Sequence, residues 1–185
     1  MKSTGNTCAI KLQYPELKWQ TKIDVFALRQ ISKLANKLCK YKDFTGIDFV
    51  KFMSHFEKSL FQELDFKQEV INSERCRDFF LGYDGLYLPK VYVLMSSKRS
   101  IVMEYVQGDK IDNLEVLAQK YGSARAATDL LIDIFAKMIF LHGHVHCDAH
   151  PGNILVRPDP KNPKKPQIIL LDHGCYGTTG EKFRM

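Results

Sequence analysis

Lys11 closes the apolar run Cys8-Ala9-Ile10-Lys11, which places it at the end of an expected strand. Asp148 and Asn153 stand five residues apart in Asp148-Ala149-His150-Pro151-Gly152-Asn153. Asp172 follows a very apolar stretch, Gln167 to Leu171, and precedes His173-Gly174. Together these side chains suit phosphoryl chemistry. A nucleotide's polyphosphate is a packed polyanion, and a lysine on a rigid strand can hold it if a carboxylate steers the long stem. Glu69, in a helical stretch, is the candidate for that carboxylate. Asp172 offers a charged oxygen and Asn153 a neutral amide oxygen, and hard oxygen ligands suit Mg²⁺. Asp148 is then left to orient or deprotonate an attacking hydroxyl or water.

These residues need rigid elements behind them. A short apolar strand is expected over Thr7 to Leu12, stopped by Tyr14-Pro15, since proline lacks an N–H and restricts its predecessor. From Leu17 to Tyr41, Ile23, Phe26, Ala27, Ile31, Leu34, Ala35 and Leu38 recur at helical steps. A loop ending at Gly46 leads to a second helical region, Ile47 to Phe80, with Phe49, Phe52, Met53, Phe56, Leu60 and Leu64 as its stripe. Two strands, Leu86 to Met95 and Ser100 to Val106, are expected to form a hairpin about Ser96 to Arg99. Helices over Asp112 to Tyr121 and Ala124 to Leu141 follow, then a His-rich loop, a strand at Asn153 to Arg157, a Pro-rich loop and the strand Gln167 to Leu171.

The chain has 185 residues, enough for one domain with a sizeable core. Its 45% hydrophobic and 26% charged residues argue against disorder. The net charge of +6 is moderate and scattered, and favours no nucleic-acid partner. Five cysteines without a C-x-x-C spacing do not make a disulfide framework and point to a reducing compartment. The polar opening MKSTGNTC is not a signal peptide, and no run reaches the 18 or so apolar residues of a spanning helix.

His142, His144, His146 and His150, with Cys147, first suggest zinc, but the spacing matches neither H-E-x-x-H nor paired C-x-x-C. A bracing role for His146, through a backbone carbonyl, fits better. Cys147 and Cys175 flank the two chemical motifs; redox-sensitive thiols are one reading, small buried thiols the commoner one. Glu63 and Asp65 would ordinarily be solvated helix acids. In one continuous helix they point roughly 200° apart, at about 100° per residue, so they need a helix start or kink between them to form a compact site.

The strand lysine, the Asp-to-Asn loop and the Asp-His-Gly turn appear in the order of the kinase signature set. The stretch Val145-His146-Cys147-Asp148-Ala149-His150-Pro151-Gly152-Asn153 resembles the catalytic loop of the UbiB family, also called aarF-domain-containing or ABC-one atypical kinases. Glu63-Leu64-Asp65-Phe66-Lys67-Gln68-Glu69 resembles its E-x-D segment with the ion-pairing Glu69. Lys11-Leu12-Gln13-Tyr14-Pro15 is similar to its K-x-Q-x-P strand end, and Leu170 to Gly174 to its metal-binding turn. The resemblance spans Thr7 to the end, and His173 in place of phenylalanine is similar to one mitochondrial branch.

The resemblance implies a protein-kinase-like, two-lobe α+β fold. The small lobe with inserted helices would cover about 1–106, and the start of the large lobe about 107–185. It implies Lys11 and Glu69 as phosphate-positioning residues, Asp148 as base, and Asn153 and Asp172 as Mg²⁺ ligands. The backbone of Glu104 and Val106 would meet the adenine of ATP or ADP, with His150 where ordinary kinases place a phosphate-contacting lysine. It further implies a mitochondrial setting, lipid or quinone homeostasis, a lipid- or quinone-related small molecule and a membrane surface as partners. Against the family pattern, the K-x-G-Q extension, the alanine-rich nucleotide loop and the later large-lobe helices are absent, with Ser3 to Asn6 only a turn. Ala149 stands where the family has proline. An incomplete kinase-like fold is therefore expected, with an ATP/Mg²⁺-dependent kinase or ATPase as the leading reading and an inactive nucleotide-binding or scaffold module as the alternative. Without the later helices, the faces of Phe135 and Ile139 should be partly uncovered.

Overall fold

The computed structural model describes residues 7–41 and 48–184, without the side chains of residues 40, 41, 59, 62 and 63. The expected Ser3 to Asn6 turn, Gly46 and the Glu63 side chain lie outside it. In chain order, β1 (Cys8–Leu12) is followed by α1 (Leu17–Tyr41), α2 (Phe49–Glu63), α3 (Phe66–Phe79), β2 (Leu86–Tyr87), β3 (Ser100–Glu104), β4 (Asp109–Lys110), α4 (Leu114–Tyr121), α5 (Arg125–Ala136), β5 (His144–His146), β6 (Ile154–Pro158), β7 (Pro166–Leu170), β8 (Tyr176–Thr178) and α6 (Glu181–Arg184). This is the expected mixture of helix and sheet.

β1 and β3 form an antiparallel pair with Lys11 opposite Ile101. Side chains alternate across a strand, so Ala9 and Lys11 turn inward while Ile10 and Leu12 face out, 61% and 70% exposed. A second sheet runs β2-β7-β6-β4, and β5 pairs with β8. The core lies under the second sheet. Ile168, Ile169 and Leu170 of β7, Val156 of β6 and Ile134 and Ala127 of α5 are fully buried. Each such Ile, Leu or Val side chain contributes about 1.5–3 kcal/mol by leaving water. Phe135 and Ile139 are partly buried; the exposed apolar residues nearby are Ile132, Phe140 and Leu141.

Three expected elements differ. The helix over 47–80 is two helices. At Leu64 the ladder breaks because Gln13 Nε2 donates to the Leu64 carbonyl at 3.1 Å. Asp65 then caps α3, its carboxylate accepting the Lys67 N–H at 3.1 Å. A break between two helices therefore stands between Glu63, the last residue of α2, and Asp65, the cap of α3. The strand expected over 86–95 is divided between two sheets. β2 pairs in parallel with β7, whereas Val91 bridges Met103 and Tyr92 N–H donates to Val102 O at 2.8 Å. Pro89 lies at the division and has no N–H to carry one ladder through. Val93–Met95 is a 3₁₀ turn, but the tip of the expected hairpin is there, as the Ser97 to Ser100 bridge. Third, the helix expected to Leu141 is α-helical only to Ala136. A π-helical turn, Lys137–His142, carries it to Gly143, whose φ of 63° favours glycine.

Asp65→Ala should lower stability by about 1 kcal/mol through loss of the cap, with Asp65→Asn retaining most of it; urea unfolding of the two variants beside the parent measures this.

Candidate functional site

β1, α3 and the turn after β7 deliver three charged side chains to one point. Lys11 Nζ lies 3.0 and 2.9 Å from the two Glu69 carboxylate oxygens and 2.8 Å from Asp172 Oδ1. Glu69 is 3% exposed, in the first turn of α3, where the helix dipole favours a negative charge. Burial pulls the Lys11 pKa down, but the two carboxylates outweigh it and leave the ammonium above its usual range. Burial alone would raise Asp172; the hydrogen bond and charge of Lys11 reverse that and hold it below the usual carboxylate range. Glu69 goes the other way: burial raises it, and Lys11 offsets only part.

The turn bearing Asp172 is tied down on all sides. Its φ of 53° is in the left-handed region, rarely adopted by residues other than glycine. Gly174 N–H donates to Asp172 Oδ1 at 3.2 Å, Leu171 N–H to Asn153 O at 2.8 Å, and Asn72 Nδ2 to His173 O at 2.9 Å. Gln68 Nε2 in turn holds Asn72 Oδ1 at 2.9 Å. Sequence reasoning missed Asn72. Asparagine and serine are poor residues for a helix interior, so Asn72-Ser73, one turn beyond Glu69, was the available signal.

The loop bearing Asp148 is joined to the same turn. His146 pairs with Tyr176 across β5 and β8, and Cys147 N–H donates to Cys175 O at 3.0 Å. Cys147 is exposed and Cys175 half-buried, rather than the buried thiols expected, because both lie on the surface loops of this joint. His146 is the expected brace: its Nδ1 accepts the Asp148 N–H at 3.2 Å and its Nε2 lies 3.4 Å from Leu171 O. That pattern requires a neutral ring protonated on Nε2, and burial lowers its pKa accordingly. His144 stacks on Tyr176 at 4.3 Å; burial pushes it down to about 4. Among the described residues no three His, Cys, Asp or Glu side chains come together as a metal site. Asn153 Nδ2 donates to Asp148 O at 3.2 Å, which turns its amide oxygen away from that bond. His150 Nδ1 accepts the Gly152 N–H at 3.0 Å, and its Nε2 lies 3.8 Å from Asp148 Oδ2.

A cleft of about 1040 Å³ opens beside Lys11, bounded by Ala9, Met103, Glu104, Val106, Asn153 and Asp172 among others. Its size is that of a small-molecule site. Gly108 lies over its floor, where a Cβ would come within 2.9 Å of Leu155. Glu104 N–H is engaged by Lys90 O at 2.8 Å and Tyr105 N–H by Thr7 O at 3.3 Å. The Glu104 carboxylate accepts Tyr87 Oη–H at 2.7 Å. A second chamber of about 230 Å³ shares Lys11 and Asp172 with the first and is reached by Asp148. Leu12, Tyr14, Leu17, Leu64 and Phe66 give it apolar walls. Lys11, Asn153 and Asp172 thus meet at one cleft, Glu69 holds Lys11 from behind, and Asp148 lines the adjoining chamber. Asp65 is instead an exposed cap, among Lys18, Lys22 and Lys67, and His150 is turned toward Asp148.

A family model described as the ABC1 atypical kinase-like domain matches residues 1–185. AarF domain-containing protein kinase 1 of Xenopus laevis is 34% identical over 98% of this chain, which covers 34% of that protein. The probable serine/threonine-protein kinase abkD of Dictyostelium discoideum is 35% identical over 98% of this chain and 25% of its own length. The chain thus spans about a third or less of these relatives. Among solved structures, the Rv3197–erythromycin complex from Mycobacterium tuberculosis superposes with a TM-score of 0.70 at 20% identity, over 95% of this chain and 41% of that one, a likeness of fold.

Removing the ammonium should leave Glu69 buried and uncompensated. Lys11→Met is expected to cost about 2 kcal/mol, below the 3–5 kcal/mol of a fully buried pair because Lys11 and Asp172 are each about a third exposed. Lys11→Met/Glu69→Gln should recover part of it. Because Asp172 is depressed in the folded state, its contribution is full above the unfolded value and lost as pH falls below it. The acid limb of stability against pH, measured by urea unfolding from pH 3 to 7, should flatten in Lys11→Met.

Proposed function

The chain belongs to the ABC1 atypical kinase-like family, and on that premise we propose that it binds ATP or ADP with Mg²⁺ and acts as an atypical kinase or ATPase. The observation that carries the proposal is the position of Lys11 and Asp172, bonded to each other on the wall common to a 1040 Å³ cleft and the smaller chamber reached by Asp148. A phosphate donor and an acceptor entering from the two sides would meet there.

In this assignment the adenine lies against the main chain of Glu104 to Val106. The Glu104 carbonyl and the groups of Val106 serve it, since the Glu104 N–H is engaged by Lys90. Lys11, steered by Glu69, holds the phosphates. Asn153 and Asp172 suit Mg²⁺: both line the cleft, both present oxygen, and Mg²⁺ completes its shell with phosphates and water. Bound there, the ion would neutralise charge developing on the phosphate oxygens. Asp148, about half exposed and fixed through its own N–H by His146, takes the proton of the attacking hydroxyl or water. His150 lies near the transferred phosphate as a hydrogen-bonding group weaker than lysine.

The apolar walls of the second chamber support an acceptor with an apolar body, such as a lipid- or quinone-related small molecule. The exposed row Trp19, Ile23 and Phe26 on α1 supports contact with a membrane surface; among the described residues no helix is long and apolar enough to cross a membrane. A mitochondrial setting rests on the family resemblance alone.

Thermal unfolding with and without Mg-ATP tests the proposal. A ligand that binds only the folded state adds about 2.7 kcal/mol at a hundredfold excess over its dissociation constant. That stabilisation should require Mg²⁺ and vanish in Asp172→Asn; an equal shift in the variant would overturn the assignment. Asp148→Asn should keep the shift and lower ATP turnover by about 10²–10⁴-fold. A Mg²⁺-dependent shift with no turnover in the parent chain would identify a binding or scaffold module instead.

A further inference from the structure

Behind the Lys11–Glu69 pair lies a narrow cavity of about 10 Å³, lined by Glu69, Ser73, Val91, Ile101, Leu170 and His173 among others. Two of these carry buried polar atoms with no hydrogen-bond partner among the described residues, Ser73 Oγ and His173 Nε2. The residues are 1% and 5% exposed. Ser73 sits inside α3, where a serine hydroxyl usually turns back to the carbonyl four residues earlier; Ser73 Oγ makes no such bond. The His173 ring is fixed from its other side, with Nδ1 2.8 Å from Tyr176 Oη.

Buried polar groups are almost always paired, with protein or with ordered water. A space of this size is about that of one water molecule, and such a molecule needs at least two polar partners. We propose that the cavity is a binding site for one small neutral hydrogen-bonding molecule, a water in the resting protein, which bridges Ser73 Oγ and His173 Nε2. Both bridged partners are neutral hydrogen-bonding groups, which suits a neutral occupant. Any occupant larger than a water or a single hydroxyl would displace Val91 or Ile101.

The bridge has a positional consequence. Ser73 is one turn beyond Glu69 and His173 is next to Asp172, so it ties α3 to the turn after β7 a second time, beside the direct bond from Asn72 Nδ2 to His173 O. Both carboxylates that hold Lys11 are then located by the same pair of links. The site stands whether or not the large cleft takes a nucleotide, since its test reads neither ligand nor activity.

Two measurements on the purified chain decide it. In a crystal structure that resolves ordered solvent, a single peak should lie within hydrogen-bond distance of both Ser73 Oγ and His173 Nε2; a cavity without such a peak overturns the site. Thermal unfolding of Ser73→Ala, His173→Phe and the double variant gives the second reading. Each single variant strands one partner and should lower the midpoint by a few degrees, whereas the double variant should lose clearly less than the sum. Additive losses overturn the bridge. If a variant does not fold, the solvent peak in the parent chain decides alone.

Discussion

One ammonium held between two carboxylates sets the geometry of everything around it. Lys11 bonds Glu69 across 58 residues of sequence and Asp172 from the far end of the chain. Its charge lowers the pKa of both carboxylates against the burial that raises them. Glu69 is almost wholly buried, and a second negative charge a few ångströms away raises its pKa further. The requirement that one long, flexible side chain reach both acids fixes where β1, α3 and the turn after β7 stand. The remaining contacts serve that requirement: Gln13 ends α2 so that α3 begins at the right residue, Asn72 ties α3 to the turn, and His146 ties the turn to the Asp148 loop.

The pieces of this arrangement that depend on local pattern were legible in the sequence. Lys11 ends a short apolar strand, Asp172 follows a very apolar one, and Asp148 and Asn153 keep a fixed spacing; each is a statement about a few neighbouring residues. The bracing role of His146 was also readable, because the spacing of the histidines excluded the obvious zinc patterns. The α2–α3 break was half legible: the acids required a start or kink, but the side chain that causes it, Gln13, is 51 residues from Leu64.

Other features depend on partners far away in sequence, and there local pattern failed. Residues 86–95 have the composition of one strand, yet Leu86–Tyr87 join β7 and Val91 bridges Met103. Which sheet claims a strand residue is decided by the surrounding packing rather than by propensity. The ladder between β5 and β8 was missed for a related reason. His144–His146 and Tyr176–Thr178 are three residues each, too short for any alternation to show. What stabilises them is stacking of His144 on Tyr176 and the packing of Val145 and Tyr176 against the buried core.

That short ladder also governs which parts of the chain can change length over evolution. His144, Val145 and His146 face Thr178, Gly177 and Tyr176 rung by rung, and Leu171 and Asn153 are joined by a further backbone bond just inside. Inserting or deleting one residue in either segment would turn the side chains beyond it to the opposite face and shift the Asp148 loop against the Asp172 turn. The exposed Pro-rich connection between β6 and β7, residues 159–165, lies beyond the far end of its own hairpin. It can lengthen or shorten without disturbing a rung, since each doubling of a flexible loop costs only about 0.6 kcal/mol. The Asp148 and Asp172 loops are thus coupled as one block of fixed length, with the freedom to change length left to a hairpin tip outside it.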